Sequence, residues 1–436
     1  MMTVDDFRRG DFSRLGAWVR GRKVATLERD EQGMTLRYLP GTSEHDAISL
    51  TLPVREEPWR FAGRLPPCFE THRPEGANLE MAETAYGREV VSDAMNLLAL
   101  TGSDAIGAVR FAPPGVSPDW KPRCVFEGNL AEADTTAFFA GASRACAGQG
   151  VAGVQPKLLV TDASGPDGKA RRRLMKVDGE DWPGLSFNEY LTMRAAAAAG
   201  LPVAACELSR DGRALLVDRF DDDCVVEDFC ALVGHSTAQK YKGSMERLCK
   251  AADEFINEDA RSMREHLLRA LVVNICVGNG DAHLKNFSVL RREGSVRMTP
   301  YYDIVTIRAF PELRNDAPAL SISGKKEWLV GKAFRAFAER IGVPDARLDD
   351  MVEEVGEGVR QTMPLVADMA RKYPGFNDLA CEMLVIWDNG LRRIRGEKVR
   401  LDAEDRSAPK RFDLKPSEQA SARRRRYSPH RRSRRG

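Results

Sequence analysis

Asp281, Lys285 and Asn286 stand close together in one polar stretch, and a second carboxylate, Asp303, follows after an apolar run. From Asn279 to Ile304 the chain reads NGDAHLKNFSVLRREGSVRMTPYYDI. Moving a phosphoryl group onto a hydroxyl requires a carboxylate to take the hydroxyl proton. It also requires a carboxamide five residues later and a further Asp to hold Mg²⁺ against the phosphates of ATP. Asp281, Asn286 and Asp303 have those types and that spacing. Lys285 would neutralise charge on the moving group. Asp and Asn are also ordinary turn residues. The apolar helix MREHLLRALVVNICVG before the loop and the run Phe287 to Leu290 after it favour the chemical reading, because they would set the loop between a buried helix and a buried strand. His283, inside the loop, could contact nucleotide, orient Asp281 or bond the backbone.

A nucleotide site needs a second half. Upstream, AGQGVAGVQPKLLV offers Gly148, Gly150 and Gly153 just before a strand, and LMKV offers Lys176 on the next. Glycine lets backbone N–H groups approach phosphate oxygens closely, and a strand lysine supplies a compact positive charge. No Gly-Lys-Ser/Thr follows, so this is not a Walker loop. Glu189 has two readings, as the partner of Lys176 or as the capping-box residue of a helix whose N-cap is Ser186. Asp218, Arg219 and Phe220 end an apolar strand where the link between two lobes should meet the adenine.

The elements that must position these groups follow from patterning. AWVRGRKVATLERDEQGMTLRYLPG, within about Trp18 to Leu52, reads as short strands around a Glu-Gln-Gly turn. Loops and then helical material lead to a Pro/Gly-rich boundary at 111–123. Val154 to Val160 and Arg173 to Val177 pair as strands. The helix LSFNEYLTMRAAAAAGLPV stops at Gly200, and a hairpin turns at Asp211-Gly212. The pattern turns helical from about Glu227, with later helices at Phe334 to Ile341, Leu348 to Met369 and Asn377 to Arg395. The expected fold is α+β: a kinase-like bilobal core with a β-rich small lobe and a helical large lobe. An extra β-rich N-terminal subdomain occupies 1–122, the small lobe 123–235, the large lobe 236–400 and a tail 401–436.

Composition narrows the class. The 436 residues are 43% hydrophobic, enough for several cores. The formal charge of +2 hides eight arginines between Arg423 and Arg435; without them the remainder is mildly acidic. General nucleic-acid affinity is therefore expected of the tail alone. Nine scattered cysteines without a C-x-x-C pair argue against zinc and fit a reducing cytosol. Neither a signal peptide nor a run of about eighteen apolar residues is visible, so the expectation is a cytoplasmic protein with no membrane role.

VAGVQPKLLV, LMKV, FNEYLTMRAAAAAGL, LLVDRFD, EDFCALVG, QKY, NGDAHLKNFSVL and TPYYDI, in this order, resemble the HipA family of serine/threonine kinases, the toxins of HipBA toxin–antitoxin modules. The resemblance extends from about Trp18 to Arg395 and leaves the tail outside. It implies phosphorylation of a serine or threonine on a translation protein, notably glutamyl-tRNA synthetase, with growth arrest. It also implies binding by HipB, a helix-turn-helix antitoxin that represses the operon and would link this chain to DNA. By position, Asp281 matches the proton acceptor and Asn286 and Asp303 the Mg²⁺ ligands. Lys176 matches the phosphate-contacting lysine. The other ATP-contacting stretches match Ala152, Gly153, Val154, Gln155, Pro156 and Lys157; Asp218, Arg219 and Phe220; His283, Leu284, Lys285 and Asn286; and Tyr302 with Asp303. Many members carry an autophosphorylated serine where this chain has Gly150, so that form of self-inactivation should be absent or moved. QKY fits the family pattern without suggesting a chemical role. The rival readings are a pseudokinase acting as an antitoxin and operator-DNA co-repressor, and a small-molecule or lipid kinase.

Overall fold

The computed structural model describes residues 12–397 apart from 72, 117–121, 166–167, 222, 258–259 and 330; the arginine-rich tail expected at 401–436 lies outside the described residues. The N-terminal region is built on a meander. Strands β1 (Arg14–Val19), β2 (Arg22–Asp30), β3 (Gly33–Tyr38) and β4 (Trp59–Phe61) pair in sequence, and β5 (Val109–Ala112) adds to the free side of β1. The expected Glu-Gln-Gly turn joins β2 to β3, where Asp30 accepts hydrogen bonds from the N–H groups of Gln32 and Gly33. Only glycine suits position 33. Its φ is +138°, and a Cβ would lie 2.2 Å from the Phe61 carbonyl oxygen. Strand structure ends at Tyr38 instead of running on towards Leu52; residues 39–52 form a loop that docks elsewhere. Between β4 and β5 lie α1 (Pro67–Glu70), α2 (Gly76–Tyr86), α3 (Arg88–Ser92) and α4 (Ala94–Thr101), covering an apolar core of Leu15, Leu27, Leu36, Phe69 and Phe111.

A second sheet has the order β6-β7-β8-β10-β9, from Val125–Phe126, Lys157–Asp162, Arg171–Val177, Ala214–Asp218 and Cys206–Leu208. Helix α5 (Thr135–Ala142) flanks it. The strand expected from Val154 begins only at Lys157, because 151–156 is an irregular loop. The antiparallel register sets Lys157 directly opposite Lys176. Helix α6 (Leu185–Ala198) follows β8 and ends before Gly200, which takes φ +80° as the stop signal required. Its start corrects the sequence reading. Ser186 lies buried inside the first turn and is not the N-cap. Asp178, outside the helix, accepts from Gly184 N–H at 2.7 Å and Ser186 N–H at 2.8 Å. The hairpin turn at Asp211-Gly212 is present.

The large lobe begins with a strand rather than the helical pattern expected from Glu227. β11 (Val225–Asp228) pairs with β12 (Ser288–Arg292), which pairs with β13 (Ser295–Met298), and α7 (Phe229–Leu232) starts only afterwards. Helices α8 (Met245–Phe255), α9 (Ala260–Val277), α10 (Gly331–Arg340), α11 (Asp345–Lys372) and α12 (Asn377–Ile394) complete it. They bury one continuous core that includes Leu267, Val273, Phe337, Val359 and Trp387. α6 packs on α11 so closely that a Cβ on Gly358 would lie 2.3 Å from the Ala198 carbonyl oxygen. Among the described residues no helix is long and apolar enough to cross a membrane.

The Gly358 contact yields a stability prediction. Gly358→Ala forces α11 off α6 and should cost about 1–3 kcal/mol, as overpacking typically does. A lowered thermal unfolding midpoint checks it; an unchanged midpoint would show that the helices can separate freely.

Candidate active site

The site is assembled from three separate elements. β8 supplies Lys176, α6 supplies Glu189 one turn into the helix, and the loop after β13 supplies Asp303. The Lys176 Nζ stands 2.6 Å from Glu189 Oε1 and 2.7 Å from Asp303 Oδ1. Of its two sequence readings, Glu189 therefore takes the lysine-pairing one. Burial works against the charge on Lys176, yet the two carboxylates outweigh it and raise the lysine's pKa above the usual range. Asp303 responds in the opposite sense. Burial would raise it, but Lys176 and then Lys157 hold it far below ordinary carboxylates. Asp303 has φ +59°, a left-handed conformation costly for a residue with a side chain.

Asn286 holds Asp303 in that conformation, donating from Nδ2 to Oδ2 at 3.1 Å and to the backbone oxygen at 3.4 Å. Its own Oδ1 is buried without a hydrogen-bond partner. An orphaned carboxamide oxygen beside an ionised carboxylate is a hard-oxygen pair suited to Mg²⁺. Among the described residues no three His, Cys, Asp or Glu side chains converge as a metal site. A Mg²⁺ completed by substrate phosphates and water needs no such cluster.

The loop that carries Asp281 leaves α9 through Gly278. Asn279 shapes it, bonding Asn274 at 3.0 Å through its side chain and accepting from the Asp281 N–H at 3.2 Å. Asp281 Oδ1 accepts from the Tyr241 hydroxyl at 2.7 Å. Burial, opposed by that bond and reinforced by the charge on Asp303, pushes Asp281 up to about 6. His283 is buried, with its ring edge-on to Tyr241 at 5.1 Å; burial and then Lys240 drive it down to about 3, so it is neutral at physiological pH. Tyr302 donates to the Lys285 carbonyl at 3.1 Å, pairs with Ser288 Oγ at 2.6 Å and stacks against Phe220 with centroids 6.0 Å apart.

The loop before β7 is partly turned inward. Lys157 Nζ donates to the Ala152 carbonyl at 3.0 Å, and burial followed by the charge on Lys176 lowers it to about 8. Gly153 is left-handed at φ +104°, and a Cβ there would fall 2.3 Å from Lys157 Nζ. Gln155 donates to the Val177 carbonyl at 3.1 Å, Pro156 lies beside Gly179, and the Val154 side chain is exposed.

The side chains of some residues expected at the nucleotide are engaged within the protein. Asp218 is drawn to Arg171 and Arg173, and Arg219 to Asp221 and the Ala105 carbonyl. Leu284 is wholly buried in the large-lobe core beside Gly243. Lys285 points to Glu75 of the N-terminal region at 2.8 Å and to Thr237 at 3.4 Å. Sequence reasoning missed Glu75 altogether and quoted Tyr241 without a role. A tyrosine flanked by Lys240 and Lys242 was the one available signal.

Three elements that place a lysine between two carboxylates, beside an Asp-x4-Asn loop, define a kinase-like phosphoryl-transfer fold. Family comparisons agree. The HipA N-terminal domain matches residues 15–112 and the HipA-like C-terminal domain residues 149–363. The chain belongs to the HipA family. It is 29% identical to the Y4mE protein of Sinorhizobium fredii over 398 residues, covering 81% of this chain and 93% of that one. It is 26% identical to the serine/threonine-protein kinase toxin HipA of Shewanella oneidensis over 305 residues, 61% of this chain and 69% of that protein. The Shewanella oneidensis HipA in complex with HipB and operator DNA superposes with a TM-score of 0.69 at 19% identity, covering 88% of this chain and 98% of that one.

The Tyr241 bond gives a titration test. Tyr241→Phe removes a donor that stabilises ionised Asp281, so Asp281 should titrate above the value of about 6 it has in the intact protein. Carboxyl ¹³C shifts of labelled aspartate across pH would show it; a downward or absent shift contradicts the assigned geometry.

Proposed function

We propose that this chain is a toxin-type protein serine/threonine kinase that transfers the γ-phosphate of ATP, with Mg²⁺, to a hydroxyl on a protein. The observation that carries this reading is the Lys176–Glu189–Asp303 arrangement next to Asn286, whose buried Oδ1 lacks a partner. Asp281 takes the hydroxyl proton. A carboxylate near 6 is ionised at neutral pH yet more basic than an ordinary aspartate, which suits a general base. Lys176 and the loop from Ala152 to Lys157 cradle the phosphates, and Lys285 offsets charge on the moving group. Asn286 and Asp303 hold Mg²⁺, which when bound neutralises phosphate oxygens. The stacked Phe220 and Tyr302 rings supply an apolar wall for the adenine.

In this reading residues 1–122 are an accessory subdomain, and the small lobe runs from 123 to the start of β11; the large lobe begins with β11, ahead of the boundary expected at 236, because β11 pairs with β12. A HipB-like helix-turn-helix antitoxin neutralises the toxin and brings it to operator DNA, as the HipA–HipB–DNA assembly of the Shewanella protein suggests. The protein substrate would be a translation factor such as an aminoacyl-tRNA synthetase. A serine/threonine kinase toxin among the relatives supports this reading over small-molecule or lipid kinases.

Asp281→Gln tests the mechanism. Incubated with γ-labelled ATP and a heat-treated lysate, the wild type should label protein, and the variant should lose about a hundredfold or more of that rate. Its thermal midpoint should stay unchanged. Equal labelling by both proteins sinks Asp281 as the base. No labelling by the wild type, with tight assembly on an antitoxin and its DNA, would instead indicate a pseudokinase co-repressor.

A further inference from the structure

Four consecutive residues at the start of α2 touch both halves of the site. Glu75 Oε1 accepts from Lys285 Nζ at 2.8 Å and Oε2 accepts from Lys240 Nζ at 2.9 Å. Gly76 follows at φ +51°, so close to the nucleotide-side loop that a Cβ would fall 2.6 Å from the Val154 carbonyl oxygen. The Ala77 N–H donates to that oxygen at 3.4 Å. Asn78, buried, pairs with the Lys157 backbone in both directions, donating to its carbonyl at 2.8 Å and accepting from its N–H at 3.1 Å. Glu75 thus faces the catalytic loop while Gly76, Ala77 and Asn78 face the phosphate side.

Free lysine side chains sample many rotamers, and fixing one carries an entropic cost. Lys285 sits on the turn between Asp281 and Asn286, where that freedom would blur its aim. Glu75 and Thr237 remove it. One carboxylate shared by two ammonium groups also leaves one positive charge in excess, which suits an incoming triphosphate. Burial alone would raise Glu75, but Lys285 and then Lys240 bring it down to about 2, so it stays ionised across the working range.

We infer that Glu75 is a positioning residue for phosphoryl transfer. Supplied by the N-terminal region, it orients Lys285 and, through Gly76 to Asn78, ties that orientation to the nucleotide loop. The inference rests on the kinase reading above. It makes the N-terminal region part of the working site.

The test uses the full chain as wild type, Glu75→Gln, Glu75→Asp, Lys285→Met and the Glu75→Gln/Lys285→Met double variant. Transfer from γ-labelled ATP to heat-treated lysate protein is read at saturating ATP, and affinity with a non-hydrolysable ATP analogue and Mg²⁺. Glu75→Gln should slow transfer by about tenfold or more, in the range typical when the support of a working side chain is lost. Analogue affinity should stay within about threefold of wild type, a split between turnover and binding. Glu75→Asp, which keeps the charge, should recover part of the rate and covers the case where the amide variant folds poorly. The double variant should be no slower than Lys285→Met, because Glu75 acts through that lysine. A wild-type rate in Glu75→Gln overturns the inference, as does a double variant whose loss is the product of the two single losses. Failure of the wild type to transfer phosphate would instead remove the kinase reading itself.

Discussion

The structure depends on one buried ammonium group. Lys176 is taken out of water on a central strand of the second sheet, and desolvating a charge costs several kcal/mol unless partners replace the lost water. Glu189 and Asp303 are those partners, and they come from different elements. A hydrogen bond of 2.6–2.7 Å to each leaves little room for drift. β8, α6 and the loop after β13 must therefore sit in fixed relation, and much of the surrounding architecture serves that end. Asp178 pins the start of α6, Gly358 lets α11 press against its far end, and Asn286 holds the left-handed Asp303. The arrangement is electrostatically unequal, with two carboxylates facing one lysine. Lys157 lies opposite in the register and supplies a compensating charge.

What was legible in the sequence was local. The Asp281-x4-Asn286 spacing, the apolar helix before it, the Gly200 stop and the Asp211-Gly212 turn are written within a few residues of one another. They reappear in the fold where expected. The errors lie where a distant partner outcompetes a neighbour. Ser186 and Glu189 have the spacing of a capping box, but Asp178 satisfies the helix end and Lys176 claims the glutamate. Asp218 ends its strand and Arg219 follows it as expected, while their side chains pair with Arg171, Arg173 and Asp221, partners that local spacing did not reveal. Leu284 stands inside the loop motif and still turns into the core, because an apolar side chain on a tight turn is more stable buried. Glu75 is separated from Lys285 by 210 positions and carries no local mark. The family resemblance extended the reach of the motifs, but it could not say which side chains turn inward.

The N-terminal region is bound to the rest by buried polar groups as well as by a shared apolar core. Glu227, buried on β11, accepts from Ser49 Oγ and from the Leu50 N–H. Arg291 on β12 donates to carbonyls at Glu44, His45 and Ala47 in the loop that the alternation pattern had suggested as strand. Asp221 accepts from the Gly107 N–H at 2.6 Å, and the Cys224 carbonyl accepts from Ala108. Losing those partners while the interface stayed closed to water would leave a buried carboxylate and a buried guanidinium without these bonds, at a cost of about 1–3 kcal/mol or more for each. The large-lobe sheet and the N-terminal loop are in this sense one polar unit.

Gly150 shows how far that dependence extends. It is buried, its N–H donates to the Asp104 carbonyl at 2.7 Å, and Ala105 forms a parallel bridge with it. A residue with no side chain has no hydroxyl to accept a phosphate. The nucleotide loop that starts there is therefore anchored at both ends by the N-terminal region: Asp104 and Ala105 at Gly150, and Gly76 to Asn78 at Val154 and Lys157. Between those anchors Val151 donates to the Gln149 carbonyl and the Ala152 carbonyl accepts from Lys157 Nζ. Gly153 is where a left-handed backbone and the Lys157 ammonium meet. The contacts of residues 75–78 and 104–105 thus set the path of this loop, and position 150 contributes only backbone.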